Sequence, residues 1–536
     1  MTTATDPRNL TFKVLADSSA SDAVDALLAA VSSEDEVCRK LGSESIIQNR
    51  SQLSILRLMK QVDDLPDDVV RVLSAEPERF VAPLRQCFQR GEKDTLRTAL
   101  DFARRCGCVR QYAQMIPHLE HWDDEVRAAA SGAIRSLAEE LALRLMTEDR
   151  SHLNAIELDV ARRLRGELLG DLSRSVSQFE TLTNPKPLID AILMLGRPDE
   201  EDVKNLCSRY GEECAEMVAE SLRTLNSQPV FATICEAQKQ LSPMPVFNDT
   251  LARRDDPEFV LYLLNWMPKR ASNHIDANIK RAARMPWLST AHPTLQQIPD
   301  SLHDRLIAVV NSSELERDDK NDIKKWVVRN SSGAGRAAAS DVFHWLPRKE
   351  TQHILYEALV DADADVEAWA TQHLRSQQVP DTFQHLLTRL DSDRLDVRDA
   401  VRGELASFNL ELVFDLFESL PHSTCLRCSE LLQKVHPEVL DEFRSELAHP
   451  FHWRRVRAAR AVGELGLVVE LLPALCALLE EPEWSIRRAV IEALAMSDSE
   501  ATEQVICSMA NDEQRQVREA VTDALAAIQK RRGSST

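Results

Sequence analysis

Four residues in the C-terminal third of the chain have side chains that bind zinc, and their spacing includes a C-x-x-C pair. They are His422, Cys425, Cys428 and His436. A structural zinc site needs ligands that converge, whereas these four lie within and just beyond one predicted helix. We therefore predict no metal site and expect the cysteines to fill small core positions. The same interpretation applies to a second group: Cys106, Cys108, His118 and His121.

Arginine recurs at one position of a repeated pattern, and a row of arginines could bind phosphate groups. The members are Arg127, Arg336, Arg398, Arg427, Arg457, Arg487 and Arg518. In a repeat array, each arginine can instead donate to carboxylates or to helix-end carbonyls in the adjoining turn. Such bonds would hold successive repeats in register. We predict this structural role for the row.

The densest basic cluster lies beside aromatic residues and is the candidate partner-binding site. Its residues are Trp453, Arg454, Arg455 and Arg457, followed by Arg460 and preceded by Phe451 and His452. An exposed Trp beside several arginines could bind an acidic partner or nucleic acid. However, Trp484 and Trp122 occupy similar places in other repeats, which favours packing of the turn. Both interpretations stay open at this point.

No other pattern in the sequence points to catalysis or to a cofactor. The motifs G-x-x-x-x-G-K-[ST], G-x-S-x-G and H-E-x-x-H do not occur in the 536 residues. The sequence therefore predicts no catalytic, cofactor-binding or metal-binding residue.

Composition limits the classes of partner and the location. The net charge of −21 and the pI near 5.2 make nucleic acid an unlikely partner, because phosphate binding depends on clustered Lys and Arg. The N-terminal residues lack the apolar core of a secretory signal. The longest apolar stretch, Leu467–Leu479, contains Glu470 and Pro473 and is too short to span a bilayer. We expect a cytoplasmic protein with reduced cysteines and one or more protein partners.

The pattern repeats at a nearly constant step along the C-terminal part of the chain. The residues before the arginine position are Gly335, Val366, Val397, Leu426, Val456, Ile486 and Val517. The steps between them are 31, 31, 29, 30, 30 and 31 residues. A repeat of this length has room for two helices of about three turns each and two tight connections. We therefore interpret each repeat as one helix pair.

Each repeat carries two amphipathic patterns. The first helix has apolar or small residues at i, i+4 and i+8, as in Ile486, Val490 and Leu494, and these positions share one face. The middle residue is small or β-branched, which lets neighbouring backbones approach closely. The second helix is a separate apolar run. The predicted runs are Ile354–Leu359, Phe383–Leu390, Leu412–Leu420, Val439–Leu447, Leu471–Leu479 and Val505–Met509.

The residues of the repeat resemble those of a known family. Asp or Glu, a short gap, Val-Arg, two residues and then Ala or Val recur most clearly at 123–134, 393–405, 482–494 and 512–525. This pattern resembles HEAT-like repeats, in particular the compact bacterial type of about 30 residues, related to phycobilisome-lyase-type HEAT repeats. The resemblance implies an all-α fold, an α-solenoid (superhelix) of antiparallel helix pairs. Glu367 departs from the pattern because it stands where Arg is expected.

The clarity of the repeats varies along the chain and predicts its organisation. Residues 333–530 carry regular HEAT-like repeats, and 21–183 carry an N-terminal helical, HEAT-like array. Residues 184–332 form a divergent helical middle region, which either continues the array or makes a separate domain. The ends, 1–20 and 531–536, are predicted to be flexible.

The function that these observations favour is a non-catalytic protein-interaction scaffold. Arrays of this kind usually bind along an inner surface formed by one helix of each pair, here the second helices. The alternative is an enzyme or a chromophore-lyase-type activity on the same solenoid. Deoxyhypusine hydroxylase has this architecture, but its repeated His-Glu pairs are missing, since no His-Glu dipeptide occurs in the sequence.

Overall fold

The computed structural model describes residues 7–49, 51–146, 155–268, 272–282 and 285–534. These residues form α-helices joined by short turns and 3₁₀ segments, and no strand occurs among them. Abundant Leu, Ala, Glu and Arg, together with only 14 Gly and 5% aromatic residues, favour helix over strand. The fold is the predicted all-α solenoid, and the chain divides between Ile323 and Lys324 into two compact units, each described separately below.

The first unit contains nineteen of the helices in the described residues. They are α1 (Pro7–Asp17), α2 (Ser21–Val31), α3 (Glu36–Gln48), α4 (Gln52–Met59), α5 (Asp67–Ser74), α6 (Val81–Arg90), α7 (Lys93–Arg105), α8 (Tyr112–Met115), α9 (Asp124–Met146), α10 (Ala155–Val176), α11 (Lys186–Leu195), α12 (Glu201–Ser208), α13 (Gly211–Thr224), α14 (Gln228–Ala237), α15 (Pro245–Arg253), α16 (Pro257–Trp266), α17 (Asn273–Arg281), α18 (Pro293–Gln296) and α19 (His303–Ser312). The helix α20 (Arg317–Asn330) carries the division between the units.

Alternate helices of the first unit pack on one another in sequence order. Helix α7 contacts α9, α9 contacts α11, and the series continues through α13, α15 and α17 to α19. The series crosses residue 184 without a break. Helices on both sides of residue 184 therefore pack in one series within the first unit. That the middle region continues the N-terminal array stays a prediction.

The second unit consists of helix pairs followed by one long final helix. The helices are α21 (Gly333–Ala339), α22 (Arg348–Ala358), α23 (Ala364–His373), α24 (Thr382–Leu390), α25 (Leu395–Glu404), α26 (Leu410–Leu416), α27 (His422–Val435), α28 (Val439–Leu447), α29 (His452–Glu464), α30 (Leu472–Leu478), α31 (Trp484–Leu494), α32 (Glu500–Ser508) and α33 (Arg515–Ser534). Each predicted second-helix run overlaps one of the even-numbered helices. First helices of consecutive repeats contact each other, as α23 does α25 and α29 does α31.

Close approach of first helices depends on small residues at their contacts. A Cβ added to Gly463 of α29 would lie 2.8 Å from the Cα of Ala493 in α31, closer than real Cβ atoms come. At the end of α29, Gly466 takes a φ of +71°, the left-handed conformation that terminates a helix and suits glycine. Gly333 serves packing in the same way, since an added Cβ would meet the backbone oxygen of Asp365 at 2.6 Å.

Both ends of the chain contain helix where flexibility was expected. Helix α1 lies within residues 1–20, and α33 extends to residue 534. Polar contacts explain α1: the Asn49 side chain donates to the backbone oxygens of Ala16 at 3.0 Å and Ser18 at 2.9 Å. Residues 1–6 and 535–536 lie outside the described residues.

Candidate interaction surfaces

The arginines of the row were predicted to donate hydrogen bonds to adjoining turns, and this prediction is confirmed at Arg487. Its Nη1 donates to the backbone oxygens of Glu481 (2.7 Å) and Pro482 (3.0 Å), in the turn before its own helix. Its Nε and Nη2 donate to both carboxylate oxygens of Asp512, at 2.8 and 2.9 Å. Asp512 lies in the turn before α33, so one guanidinium fastens two consecutive turns. These hydrogen bonds lower the pKa of Asp512 and raise the pKa of Arg487.

Other members of the row bond to the turn before their own helix in the same way. Each donates to a backbone oxygen five or six residues earlier: Arg127 to His121 (2.6 Å), Arg336 to Ser331 (2.6 Å) and Arg518 to Asp512 (2.6 Å). Arg398 and Arg427 form no bond of this kind within the described chain. The arginines of the row therefore stabilise the preceding turn in most repeats, but not in all.

In the repeat of α29, the arginine with this role is Arg455, and the assignment to Arg457 was wrong. Arg455 Nη1 donates to the backbone oxygens of His449 (2.6 Å) and Pro450 (3.0 Å), which matches the bonds of Arg487. The predicted register placed Arg460 on the packed face, yet Arg460 is exposed. Arginine stands at Arg454, Arg455, Arg457 and Arg460 of this helix, so the arginine position fits more than one register. The contact of Arg455 with the turn distinguishes these registers.

The four predicted partner-binding residues lie together at the start of α29, and their arginines contact neighbouring residues of the chain. Arg454 pairs with Glu446 and lies 3.0 Å from His449 Nε2. Arg455 binds the turn described above. Arg457 stacks between two rings, 4.5 Å from the centroid of Phe414 and 5.3 Å from that of Trp453.

Aromatic residues of the same cluster remain available to a partner. Trp453 is 53% exposed and Phe451 is 61% exposed, whereas Trp484 is partly buried against the core of the second unit. The expectation that these tryptophans pack in turns therefore fits Trp484 but not Trp453. Recognition by Trp453 and the three arginines stays a prediction.

The two groups with zinc-binding residue types are not arranged as metal sites. His422 Nδ1 lies 3.1 Å from Glu464, while His436 Nε2 lies 3.1 Å from the backbone oxygen of Phe408. Cys425 is buried. Across the residues that the structure describes, no set of three or more His, Cys, Asp or Glu side chains converges on a metal position.

A cavity of about 930 Å³ lies in the first unit, against α9, α10, α11 and α14. Its polar side chains bond to their own surroundings. Lys239 Nζ donates to Glu236 at 2.7 Å, and the Thr233 hydroxyl lies 3.1 to 3.3 Å from three backbone oxygens. No Ser, Cys or His is among the described residues that line it.

The second helices of the second unit carry the most regular exposed apolar residues. Phe383 and Leu387 on α24 are 57% and 37% exposed, and Leu412 and Leu416 on α26 are 39% and 42% exposed. Each pair has i, i+4 spacing, so its members share one helix face. We call these four residues the apolar stripe. Tyr356 on α22 is 37% exposed and contacts His385 of α24, with 5.8 Å between ring centroids.

The sequence pattern did not distinguish the apolar stripe from core positions. Phe383, Leu387, Leu412 and Leu416 all lay within predicted second-helix runs. An i, i+4 apolar pair on a helix predicts burial as well as exposure to a partner. Only the packing of the neighbouring helices shows which pairs remain uncovered.

Comparison with known proteins supports the repeat assignment. A family model described as HEAT repeats matches residues 438–529. Together with the stacked helix pairs, this match defines a helical solenoid of the HEAT class. Residues 438–529 therefore match HEAT repeats, and the chain as a whole is similar to HEAT-like repeat proteins. No curated protein matches it, and its relation to the phycobilisome-lyase type stays a prediction.

Solved structures with partial likeness are large helical proteins. One is Kap95p bound to RanGDP, at 9% identity and a TM-score of 0.31, covering 97% of this chain and 75% of that chain. Another is importin beta, at 11% identity and a TM-score of 0.25, covering 94% and 84%. An array of TOG domains from microtubule polymerases has 12% identity and a TM-score of 0.20, covering 96% of each chain. At these scores the likenesses carry no conclusion about function.

Among the described residues, no helix combines the length and the apolar character needed to cross a bilayer.

Proposed function

We propose that the protein is a non-catalytic scaffold that binds a protein partner along the second helices of its second unit. The observation that carries this proposal is the apolar stripe, in which two consecutive second helices each expose an i, i+4 apolar pair. Contiguous exposed apolar residues on a folded protein often mark an interaction site, since water solvates them poorly. Repeat arrays use long surfaces of this kind for binding.

The geometry of the stripe suits a helical partner. Leu412 and Leu416 are one helical turn apart, as are Phe383 and Leu387. A partner helix with apolar residues at the same spacing can place its side chains against either pair. Phe383 is the largest of the four side chains and would be the main anchor, because aromatic residues dominate binding energy at such surfaces.

Affinity capture with the full-length chain tests this proposal. Wild-type protein is compared with the double variant Phe383→Gln, Leu412→Gln, and with the control double variant Leu241→Gln, Val469→Gln. The control residues are 75% and 59% exposed and lie outside the stripe. We expect a stoichiometric protein partner on the wild type and the control, and its loss from the stripe variant.

Two results would contradict the scaffold. One is a partner that the stripe variant captures as well as the wild type does. The other is recovery of only a bound chromophore, iron or nucleic acid from the native extract. Circular dichroism of the three proteins must coincide, because the exposed positions should tolerate Gln without loss of helix.

A further inference from the structure

Three exposed carboxylates lie on and just after α26, beside Leu412 and Leu416 of the apolar stripe. Glu411, Asp415 and Glu418 are exposed, and no ion pair within 4.0 Å involves them in the part of the chain that the structure describes. We call them the acidic trio. Other carboxylates of the second unit differ among themselves: Asp391 pairs with Lys434 at 2.7 Å and Asp441 pairs with Arg444, whereas the exposed Glu430 and Glu442 form no ion pair within 4.0 Å among the described residues.

On balance the acidic trio is unfavourable for the helix that carries it, although Glu411 lies in the first turn of α26, where a carboxylate suits the helix dipole. Glu411 and Asp415 are four residues apart, so their like charges face each other on one side of α26. Asp415 is in the last turn of α26, and Glu418 lies in the 3₁₀ turn just after it. The carboxyl end of a helix favours cations, so both charges oppose the helix dipole. Local rules of this kind are most often broken at functional sites.

Two cations on neighbouring elements have partners other than the trio. Arg457 of α29 stacks over the ring of Phe414 but forms no ion pair with the trio among the described contacts. Arg389 of α24 bonds to Glu367 at 3.0 Å and to the backbone oxygen of Leu359 at 2.8 Å. Among the described residues, no ion pair neutralises the carboxylates beside Leu412 and Leu416.

We infer that the partner of the apolar stripe is a basic amphipathic helix. Its apolar residues, spaced i, i+4, would cover Leu412 and Leu416, and its Lys or Arg residues between them would pair with the acidic trio. The alternation of apolar and acidic residues on α26 matches an alternation of apolar and basic residues on the partner. This inference rests on the proposed function, since it names the chemistry of the partner that the stripe binds.

Peptide binding to the full-length chain tests the inference. The probe is a fluorescently labelled helical peptide of Leu and Lys with Leu at i, i+4 spacing, measured by fluorescence anisotropy. Two comparison peptides replace Lys by Glu or Leu by Ser. The wild-type chain should bind the Leu-Lys peptide and neither comparison peptide. The affinity for the Leu-Lys peptide should fall as the salt concentration rises.

Matched charge variants separate the acidic trio from the general charge of −21. The test variant is Glu411→Gln, Asp415→Asn, Glu418→Gln. The control is Glu201→Gln, Glu212→Gln, Glu213→Gln, which removes three exposed carboxylates from the first unit. We expect the test variant to weaken peptide binding by at least about tenfold and the control by less than about twofold. Equal losses in both variants, or no binding to the wild type, would overturn the inference.

A second readout needs no ligand. Because the trio destabilises α26, its removal should slow hydrogen exchange of the amides at 410–419, while the control variant leaves them unchanged. Faster or unchanged exchange would contradict the electrostatic argument. If the stripe variant loses the captured partner but the trio variant retains it, the scaffold stands and the basic partner is refuted.

Discussion

Glu367 and Arg394 form an ion pair of 2.8 Å that reverses the charges of the Arg487–Asp512 pair. Glu367 stands at the arginine position of its repeat, and Arg394 lies in the turn before the next first helix. Arg394 also donates to the backbone oxygen of Asp361 at 3.0 Å. That oxygen is six residues before Glu367, as Glu481 is six residues before Arg487. Both ion pairs therefore connect consecutive turns. In one pair the cation comes from the earlier repeat (Arg487), and in the other it comes from the later repeat (Arg394).

The exchange predicts that the ion pair between repeats can be reversed elsewhere in the array. Asp512→Arg places two guanidinium groups together at a site where both side chains are at most 10% exposed. We expect local stability to fall by about 3 kcal/mol, because an unpaired buried charge remains. Adding Arg487→Glu should restore at least half of that loss. Hydrogen exchange of the amides at 481–525 measures both changes.

The control for this experiment is an exposed ion pair in the same region. Arg515 and Glu519 are 81% and 56% exposed and pair at 2.7 Å. Glu519→Arg should cost less than about 1 kcal/mol, since solvent screens such pairs. A loss as large as that of Asp512→Arg would mean that net charge, and not the contact between turns, determines stability.

Packing of first helices predicts opposite effects for two glycines. Gly463→Ala would force α29 away from α31, because the new Cβ has no room beside Ala493. We expect a loss of about 1–3 kcal/mol. Gly403→Ala in α25 meets no atom within 4 Å and should gain about 0.5–1 kcal/mol from the higher helix propensity of Ala. Thermal unfolding of the two full-length variants should therefore shift in opposite directions.

The sequence predicted the helix pairs well because their apolar spacing depends on local residues. Val366, Ala370 and Leu374 share a predicted face and are all buried. The register in α29 could not be predicted in this way, since four arginines lie close together there and the apolar contrast between the helix faces is weak. The contact of Arg455 with the backbone of the preceding turn, which a sequence does not display, distinguishes the two registers.

The candidate surface was less predictable than the fold. Phe383 and Leu412 lie in runs whose spacing suits a buried face, and only the missing neighbour leaves them exposed. Likewise, whether Asp415 forms an ion pair depends on the directions of the surrounding cationic side chains. Both features follow from packing between repeats, so they become visible only in three dimensions.

Burial of His373 predicts a loss of stability on acidification. Its ring lies 5.6 Å from Phe343 and 5.3 Å from Trp369, and burial lowers its pKa. The unfolded chain therefore takes up the proton first, near pH 6.5. Stability falls as the pH drops from about 6.5 through the lower folded pKa, because the unfolded state binds more protons in that range. Above pH 7 this contribution is constant.

Variants at two histidines isolate that contribution. His373→Gln removes the titrating group, so the decrease of melting temperature between pH 7.5 and 5.5 should be smaller than in the wild type. His353→Gln is the control, since His353 is 69% exposed in its side chain, and it should keep the wild-type decrease. An unchanged decrease in His373→Gln would show that His373 does not contribute.

Recognition at the start of α29 can be tested without disturbing the turn. Arg455→Glu would break the bonds to His449 and Pro450, so loss of binding in that variant would not separate folding from recognition. Phe451→Ser with Trp453→Ser removes two exposed rings instead. We expect the melting temperature to change little, because both side chains are more than half exposed.

The matched control is Trp122→Ser in the first unit, where the ring is 78% exposed. If the cluster recognises a partner, affinity capture should fall about tenfold in the double variant and stay unchanged in the control, as expected for aromatic anchors at an interface. Arg457 would keep its stacking on Phe414 at 4.5 Å, so its guanidinium should stay in place without Trp453. Unchanged capture with intact folding would assign Trp453 to the surface of the turn and leave the apolar stripe as the contact for the partner.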